Sequence, residues 1–242
     1  MRQGALRLNA IVVVVVLFVG VVAGAFLLSS GPADANPVAA LRAAAQQTLD
    51  APSVRTISSV DGVLTDLEDF IAPDRLRMAT QPDGSAHPTP YLIEIGSTAF
   101  VRITCTAHSQ RITRWFRNPH AQTAPGSANV RIAVAMVNSA ADARRVDHTD
   151  RTDRYEFAPK LSDDESSGAD FGDASAVVAD GHLRSVSFSA TYATPDGTKR
   201  SRGRITFSRY GTVPPIQTPP ASQITEENCS DLGLYAGAPP NK

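Results

Sequence analysis

The spacing of apolar residues divides the chain into three regions. Residues 10–28 form an uninterrupted apolar run, residues 37–52 repeat apolar positions about every four, and most of the remaining chain alternates with a period of two. These patterns predict a membrane-length helix, an amphipathic helix and a series of half-buried strands, respectively. The sequence therefore predicts an α+β domain that follows one apolar segment.

The apolar run is long enough to cross a membrane. It reads AIVVVVVLFVGVVAGAFLL and contains 19 residues without a charge. As a helix it spans about 28 Å, close to the hydrocarbon thickness of a bilayer. Arg2 and Arg7 precede it, and the next basic residue is Arg42. By the positive-inside rule, residues 1–9 are a cytoplasmic tail and the chain beyond residue 28 is extracytoplasmic, which predicts a single-pass membrane anchor.

A cleaved signal peptide is the alternative interpretation of the same run. Ala33-Asp34-Ala35 fits an A-x-A cleavage site, so that cleavage near Ala35 would give a secreted domain. Signal peptides usually carry apolar runs of only ~7 to 15 residues, which favours the uncleaved anchor. Export is common to both interpretations. Residues 29–36, rich in Ser, Gly, Pro and Ala, are expected to be a short linker.

Two helices are expected after the linker. Asn36 provides an N-cap and Pro37 a first-turn proline for a helix that ends near Pro52. A second helix is predicted near the middle of the chain, because Ser139 and Asp142 resemble a capping box.

The alternating segments predict antiparallel strands with one apolar and one polar face. Asp-Gly and Pro-Asp-Gly turns separate the last three and make them a meander. The segments are RLRMA, YLIEIG, TAFVRITC, RYEFAP, ASAVVA, LRSVSFSATY and RGRITFSRYG.

The two cysteines, Cys105 and Cys229, are most simply one disulfide if the domain is exported. The bond would close a loop of more than 100 residues, which is worth ~4 kcal/mol in the chain-entropy model. It would also tie residues 226–242, a C-terminal tail, to the domain. The alternative is a reactive thiol close to His108.

The sequence contains no recognisable catalytic machinery. The motifs G-x-S-x-G, H-E-x-x-H, G-x-G-x-x-G and the P-loop are absent, and the five histidines lack metal-ligand spacing. A net charge of -1 gives no general attraction for nucleic acid. We therefore expect a protein that is not an enzyme, with no catalytic residue, metal, cofactor or nucleic-acid partner.

The order of the segments resembles a known family. The segments PDRLRM at 73–78, YLIEIGSTAFVR at 91–102 and the stretch 204–223 carry the resemblance, within about 37–225. Together they resemble the LppX/LprG family of actinobacterial lipoproteins, whose fold is similar to the LolA/LolB lipoprotein carriers. The resemblance implies a curved antiparallel sheet, a half-barrel, packed on helices, with an apolar cavity for the acyl chains of envelope lipids or glycolipids.

The chain departs from this family at its N-terminus. The family's lipoproteins carry a cysteine after a short apolar region, whereas Leu27-Leu28-Ser29-Ser30-Gly31 contains none. No lipid can be attached there, so the apolar run either tethers the domain or is removed.

The apolar members of each alternation are expected to line the cavity, because a period of two sends neighbouring side chains to opposite faces. Arg77, Arg102 and Arg204 should then face water or the cavity rim, where the basic stretch from Lys199 to Arg209 attracts anionic headgroups. The predicted lining residues are Leu76, Met78, Ile93, Ile95, Val101, Ile103, Phe188, Tyr192, Ile205 and Phe207.

These expectations predict a membrane-anchored protein that binds or transfers lipid. The alternative is an extracytoplasmic interaction or sensor module, with a filled half-barrel that binds a partner envelope protein. Periodicity does not separate the two, because the same pattern describes an open cavity and a filled core.

Overall fold

Buried and exposed side chains alternate through most of the domain, and thirteen strands of the described chain form one large, curved, mixed sheet. The computed structural model describes residues 36–80, 88–107, 110–119, 127–162, 169–194, 197–226 and 235–236. The chain divides into two units, Met1–Asn36 and Pro37–Lys242, and all elements below belong to the second.

The strands follow one another in two meanders. The first consists of β1 (Ser53–Val60), β2 (Val63–Ile71), β3 (Arg75–Thr80), β4 (Thr89–Ile95), β5 (Thr98–Ala107) and β6 (Gln110–Asn118). The second consists of β7 (Ala143–His148), β8 (Thr152–Phe157), β9 (Ala169–Ala179), β10 (His182–Thr194) and β11 (Gly197–Ser208). A 3₁₀ turn (Ala221–Gln223), β12 (Ile224–Thr225) and β13 (Tyr235–Ala236) follow.

The first and last long strands meet at the centre of the sheet. The strand order is β12-β6-β5-β4-β3-β2-β1-β11-β10-β9-β8-β7, and β13 pairs with β5. All described pairs are antiparallel except β12 with β6, which is parallel, so the predicted antiparallel sheet is in fact mixed. Asp180 and Gly181, with φ angles of 51° and 76°, form the tight turn expected between β9 and β10.

The first predicted helix is confirmed as α1 (Pro37–Leu49), whereas the second is displaced. It is α2 (Ala128–Ser139), and the segment predicted to be helical after Ser139 forms β7 instead. Ser127 caps α2 by accepting a hydrogen bond from the Val130 backbone N–H at 3.2 Å. The prediction of a helix starting at Ser139 was therefore wrong: the helix ends there.

The main core lies between the two helices and one part of the sheet. Leu41 of α1 and Met136 of α2 are 1% and 0% exposed and pack among residues of β1 and β8–β11. The Arg42 guanidinium donates hydrogen bonds to the carbonyls of Asn138 and Ala140, at 3.0 and 2.8 Å. This contact fixes α1 against the C-terminal end of α2.

A second, smaller core lies in the part of the sheet that contains β4, β5 and β6. Its centre is Ile216, which is 1% exposed and packs with Ile93, Phe100 and Trp115. Ile216 belongs to residues 209–223, here called the strap, which run from the end of β11 to β12. Arg75 of β3 donates a hydrogen bond to the Ile216 carbonyl at 3.1 Å. The strap therefore gives these strands a core of their own.

Neither described helix has the length and apolar character needed to cross a bilayer. The predicted anchor, residues 10–28, and the linker, residues 29–36 apart from Asn36, lie outside the described residues. The membrane anchor and the alternative of cleavage near Ala35 stay predictions.

Candidate functional site

Directly paired residues on neighbouring strands share a face, so the strand register assigns side chains to the two faces of the sheet. One face packs on α1 and α2 and is called the helix face. The opposite face is called the outer face. Phe207 of the main core pairs with Thr56, and Thr56 pairs with Glu68 and accepts a hydrogen bond from Asn129 of α2. These pairs extend the helix face from β11 across β1 to β2.

The ten predicted lining residues do not all share one face. Ile93 and Ile95 pair with Arg77 and Arg75, whereas the alternate position Leu92 pairs with Met78. The register therefore places Ile93 and Ile95 on the outer face, in or against the small core under the strap. The helix face carries Leu76, Met78, Val101, Ile103, Phe188, Tyr192, Ile205 and Phe207.

Part of the helix face is filled by the helices. Ile205 and Phe207 are 3% and 4% exposed within the main core, and Phe188 packs against it. A Cβ at Gly203 would lie 2.2 Å from the Phe188 ring, so the ring packs directly over the glycine backbone. The β8–β11 part of the sheet is called the covered half. Its buried residues are therefore not accessible to a ligand.

The part of the helix face formed by β3–β6 carries accessible apolar side chains beside buried Leu76. Met78, Leu92, Val101 and Phe116 are direct partners across β3, β4, β5 and β6, and we call these four residues the apolar row. Val101 is 37% exposed and the other three are half-buried. At ~4.8 Å between strands, the row extends about 14 Å. Half-buried Ile103 lies beside Val101 two residues along β5.

Sequence reasoning missed two members of the apolar row, Leu92 and Phe116. Each has an apolar neighbour that faces the other way, Ile93 and Trp115, and both neighbours are buried under the strap. Apolar residues on both faces remove the period of two that normally identifies the core side. The signal for Leu92 and Phe116 was therefore present only as apolar pairs at adjacent positions.

A group of polar residues lies at one end of the apolar row. Glu68 pairs with Met78 on the next strand and is 1% exposed. It accepts hydrogen bonds from the Ser127 hydroxyl and, at 3.3 Å, from the Asn129 backbone N–H. Burial raises the pKa of Glu68, and these hydrogen bonds oppose the shift only in part. The Glu68 carboxyl therefore helps to cap the N-terminus of α2.

A second carboxyl, Glu94, lies beside the apolar row. Glu94 pairs with Leu76 and Ala99 and is half-buried on the helix face. Burial raises the pKa of Glu94, while the charge of Arg131 opposes the shift. Tyr91 donates a hydrogen bond to Asp66 at 2.7 Å, and burial together with this bond raises its pKa. These groups provide hydrogen-bonding atoms next to the apolar row.

The outer face carries a buried ion pair. Asp69 is 0% exposed and accepts hydrogen bonds from Arg55, at 2.6 and 2.9 Å, and from Arg77. Burial alone would raise the pKa of Asp69, but the hydrogen bonds from both arginines outweigh it and hold the pKa below its ordinary value. Arg77 was expected to face water or a cavity rim; instead it is half-buried against this carboxylate.

Cys105 ends the accessible part of the helix face. It is 2% exposed. Cys229 lies outside the described residues, so the Cys105–Cys229 pairing stays a prediction. Ala236 of β13 pairs with Cys105, which brings the C-terminal region to this strand.

Within the described ranges, no cluster of three or more His, Cys, Asp or Glu side chains is placed to hold a metal ion. His148 lies on β7 and contacts Asp153 at 2.7 Å on the exposed edge of the sheet.

Three arginines of the predicted basic stretch lie on the other side of the sheet from the apolar row. Arg200, Arg202 and Arg204 alternate with buried Ser201, Gly203 and Ile205, so all three arginines extend from the outer face. Lys199 pairs with Tyr192 on the helix face, and Arg209 follows the end of β11. The three arginines thus form no rim around the apolar row.

Neither a protein-family model nor a curated protein sequence matches the chain. The solved structures that are similar to the chain at low identity include two mycobacterial lipoproteins. The lipoprotein LppX of Mycobacterium tuberculosis has a TM-score of 0.43 and 13% identity, and the match covers 76% of this chain and 100% of LppX. LprF from Mycobacterium bovis has a TM-score of 0.43 and 10% identity, covering 76% of this chain and 96% of LprF. LppX gives its name to the family that the sequence resembles.

Proposed function

We propose that this protein is a non-enzymatic, extracytoplasmic binding protein that holds an acyl chain of a lipid or glycolipid against the apolar row. The observation that carries the proposal is the row itself. Met78, Leu92, Val101 and Phe116 are joined by direct pairing across four strands and are all accessible to solvent. Accessible apolar strips of this kind usually mark a binding surface.

The energy available on such a surface is sufficient for lipid binding. Each methylene that leaves water contributes about 0.8 kcal/mol, so that six to eight methylenes contribute roughly 5–6 kcal/mol before the costs of association. Glu94 and Tyr91 lie beside the row on the same face. They are placed to hydrogen-bond hydroxyl groups of a lipid headgroup or sugar. An acyl chain along the row and a polar group at its end are therefore the ligand chemistry that we propose.

The N-terminal run supports a membrane location for this activity. We propose that residues 10–28 tether the domain to the outer face of the cytoplasmic membrane and that 29–36 form the linker. A linker of eight residues extends at most about 28 Å, which keeps the domain close to the lipid of its own membrane. Protease treatment of intact cells should cut beyond Ser30 while the protein resists carbonate extraction. Recovery of a soluble chain that begins at Asn36 would show that the domain is secreted and not tethered to the membrane.

The decisive experiment is native mass spectrometry of the full chain purified from an actinobacterial host in non-ionic detergent. We expect a bound lipid in the wild type and a loss of most of it in Val101→Lys, because the new ammonium group would be desolvated by the acyl chain. Val146→Lys is the matched control, since Val146 of β7 is 38% exposed against 37% for Val101 and lies at the opposite end of the sheet.

The two variants also separate lipid binding from the alternative function. If Val101→Lys and Val146→Lys retain equal amounts of lipid, or if the wild type carries none, the apolar row is not an acyl site. The filled covered half would then favour an interaction module, and a specific protein partner lost only in Val101→Lys would identify the row as its contact surface.

A further inference from the structure

A second groove lies on the outer face of the covered half, separated from the apolar row by the sheet. Its floor consists of Ser175 of β9 and Ser187 of β10, which are direct partners, together with Ser189. Arg200, Arg202 and Arg204 of β11 form one wall. The groove has a volume of about 490 Å³.

The opposite wall comes from β8 and adds a fourth arginine. Arg154 and Glu156 line this side, and Asp173 of β9 is a second carboxylate. Arg144 of β7 binds Glu156 at 2.9 Å and offsets its charge. Within the described chain, none of the four lining arginines forms a salt bridge. The groove therefore carries an excess of positive charge in a chain whose net charge is only -1.

The geometry combines two kinds of donor. Arginines two residues apart on one face of a strand are separated by about 6.7 Å, so neighbouring guanidinium groups can contact two different anionic groups. Between them the short serine side chains leave a recess, in which Ser189 is 9% exposed and Ser187 half-buried. Guanidinium groups bind phosphate through paired N–H donors, and serine hydroxyls donate to the remaining oxygens.

We propose that this groove binds a polyol or saccharide that carries at least two phosphate groups. The recessed hydroxyls favour a ligand that enters the groove over a flat bilayer surface, which only the projecting arginines would reach. The alternating arginines favour two phosphates separated by the width of one sugar ring. Because the groove and the apolar row lie on opposite faces, this proposal and the proposed acyl binding can succeed or fail independently.

The test measures binding of glucose 1,6-bisphosphate to the full chain in non-ionic detergent by isothermal titration calorimetry. Glucose and glucose 1-phosphate are the comparison probes. We expect the bisphosphate to bind at least tenfold more tightly than the monophosphate and glucose not to bind. Arg202→Gln should weaken bisphosphate binding about tenfold or more, since hydrogen bonds to charged groups are strong. The backbone contacts of Arg202 with Asp61 are independent of its side chain, so the fold should be retained.

Two further variants separate a built site from general attraction. Ser187→Ala removes one hydroxyl without altering charge and should weaken binding several-fold, whereas Arg102→Gln, on the exposed outer face of β5, should leave it unchanged. Equal losses for Arg102→Gln and Arg202→Gln, or no effect of Ser187→Ala, would overturn the proposal in favour of non-specific attraction. A second result would also overturn the proposal. In that case the bisphosphate does not bind, whereas Arg202→Gln changes the binding of the tethered domain to phosphatidylglycerol nanodiscs.

Discussion

On the helix face, Ile205 and Phe207 of the covered half are buried beneath α1 and α2, whereas Val101 and its neighbours on β3–β6 remain accessible. The two parts belong to one sheet, but they are stabilised differently. The covered half obtains its core from the helices on the helix face. The other part, β3–β6, called the open half, obtains its core from the strap on the outer face. A strand can therefore keep an accessible apolar surface on one face when its other face supplies the core.

The largest expected effect concerns the disulfide that we predict in the open half. Reduction of the Cys105–Cys229 bond should lower the free energy of unfolding by about 4 kcal/mol or more, because the bond closes a loop of more than 100 residues in the unfolded chain. Urea denaturation with and without reductant measures this loss. Amide exchange should rise more in β5 than in β10. Two thiols that react with iodoacetamide in the denatured but unreduced protein would exclude the bond.

The next prediction compares two methionines on the same face. Met136→Ala should lower the free energy of unfolding by about 2–5 kcal/mol, because Met136 is 0% exposed in the main core. Met78→Ala should cost less than about 1 kcal/mol, since the side chain is already half-exposed, but it should reduce the amount of bound lipid. Chemical denaturation and native mass spectrometry of both variants provide the two measurements. A reversed order of stabilities would mean that the open half is as tightly packed as the covered half.

A smaller effect tests the assignment of Ile93 to the outer face. Ile93→Val should lower the free energy of unfolding by about 1 kcal/mol, because one methyl group is lost from the small core with Ile216. The bound lipid should be unchanged, since the side chain lies on the opposite face from the apolar row. Loss of lipid from Ile93→Val, at unchanged stability, would place Ile93 in the binding surface.

The smallest expected effect is a change in pH dependence at the boundary of the two halves. Burial raises the pKa of Glu68 above its ordinary value of 4.5, so the folded state retains this proton to higher pH than the unfolded chain. The contribution of Glu68 to stability is therefore complete below pH 4.5 and is lost as the pH rises through the raised pKa.

Glu68→Gln should flatten this decline, because the amide oxygen still accepts hydrogen bonds from Ser127 and Asn129 but carries no charge. Urea midpoints at pH 4.5, 6 and 7.5 measure the slope. Part of the slope should persist, since burial also raises the pKa of Glu94. A steeper decline in Glu68→Gln than in the wild type would contradict the assignment.

The sequence predicted β3–β5 and β8–β11 as strands, and no segment was predicted for β1, β2 or β6. RGRITFS shows the alternation clearly, because its arginines face water and Ile205 and Phe207 face the helices. It did not predict β7, because this strand lies at the edge of the sheet and all of its side chains except half-buried Ala143 are exposed. Without a buried face, the strand has no period of two, and the local Ser-x-x-Asp match instead predicts the start of a helix.

The helix α2 was missed although its pattern is present. Val130, Ala133, Val134 and Val137 follow the spacing of one helical face and are all buried. The apolar row and the arginine groove could be predicted only in part, because membership depends on cross-strand register. Leu92 and Ile93 are both apolar. The strap covers only Ile93, and it lies more than 100 residues later in the sequence, so no local pattern distinguishes the two residues.

The central pairing of β1 with β11 has a consequence for how the chain folds. The two meanders form from neighbouring hairpins, but their junction joins partners such as Arg55 and Ser208, far apart in sequence. Such distant contacts form late and slow the search for the native state. Until β11 is synthesised and arrives, the first meander presents the bare backbone edge of β1, which can pair with other chains. A chain truncated after β6 should therefore aggregate and not form a stable, soluble fragment.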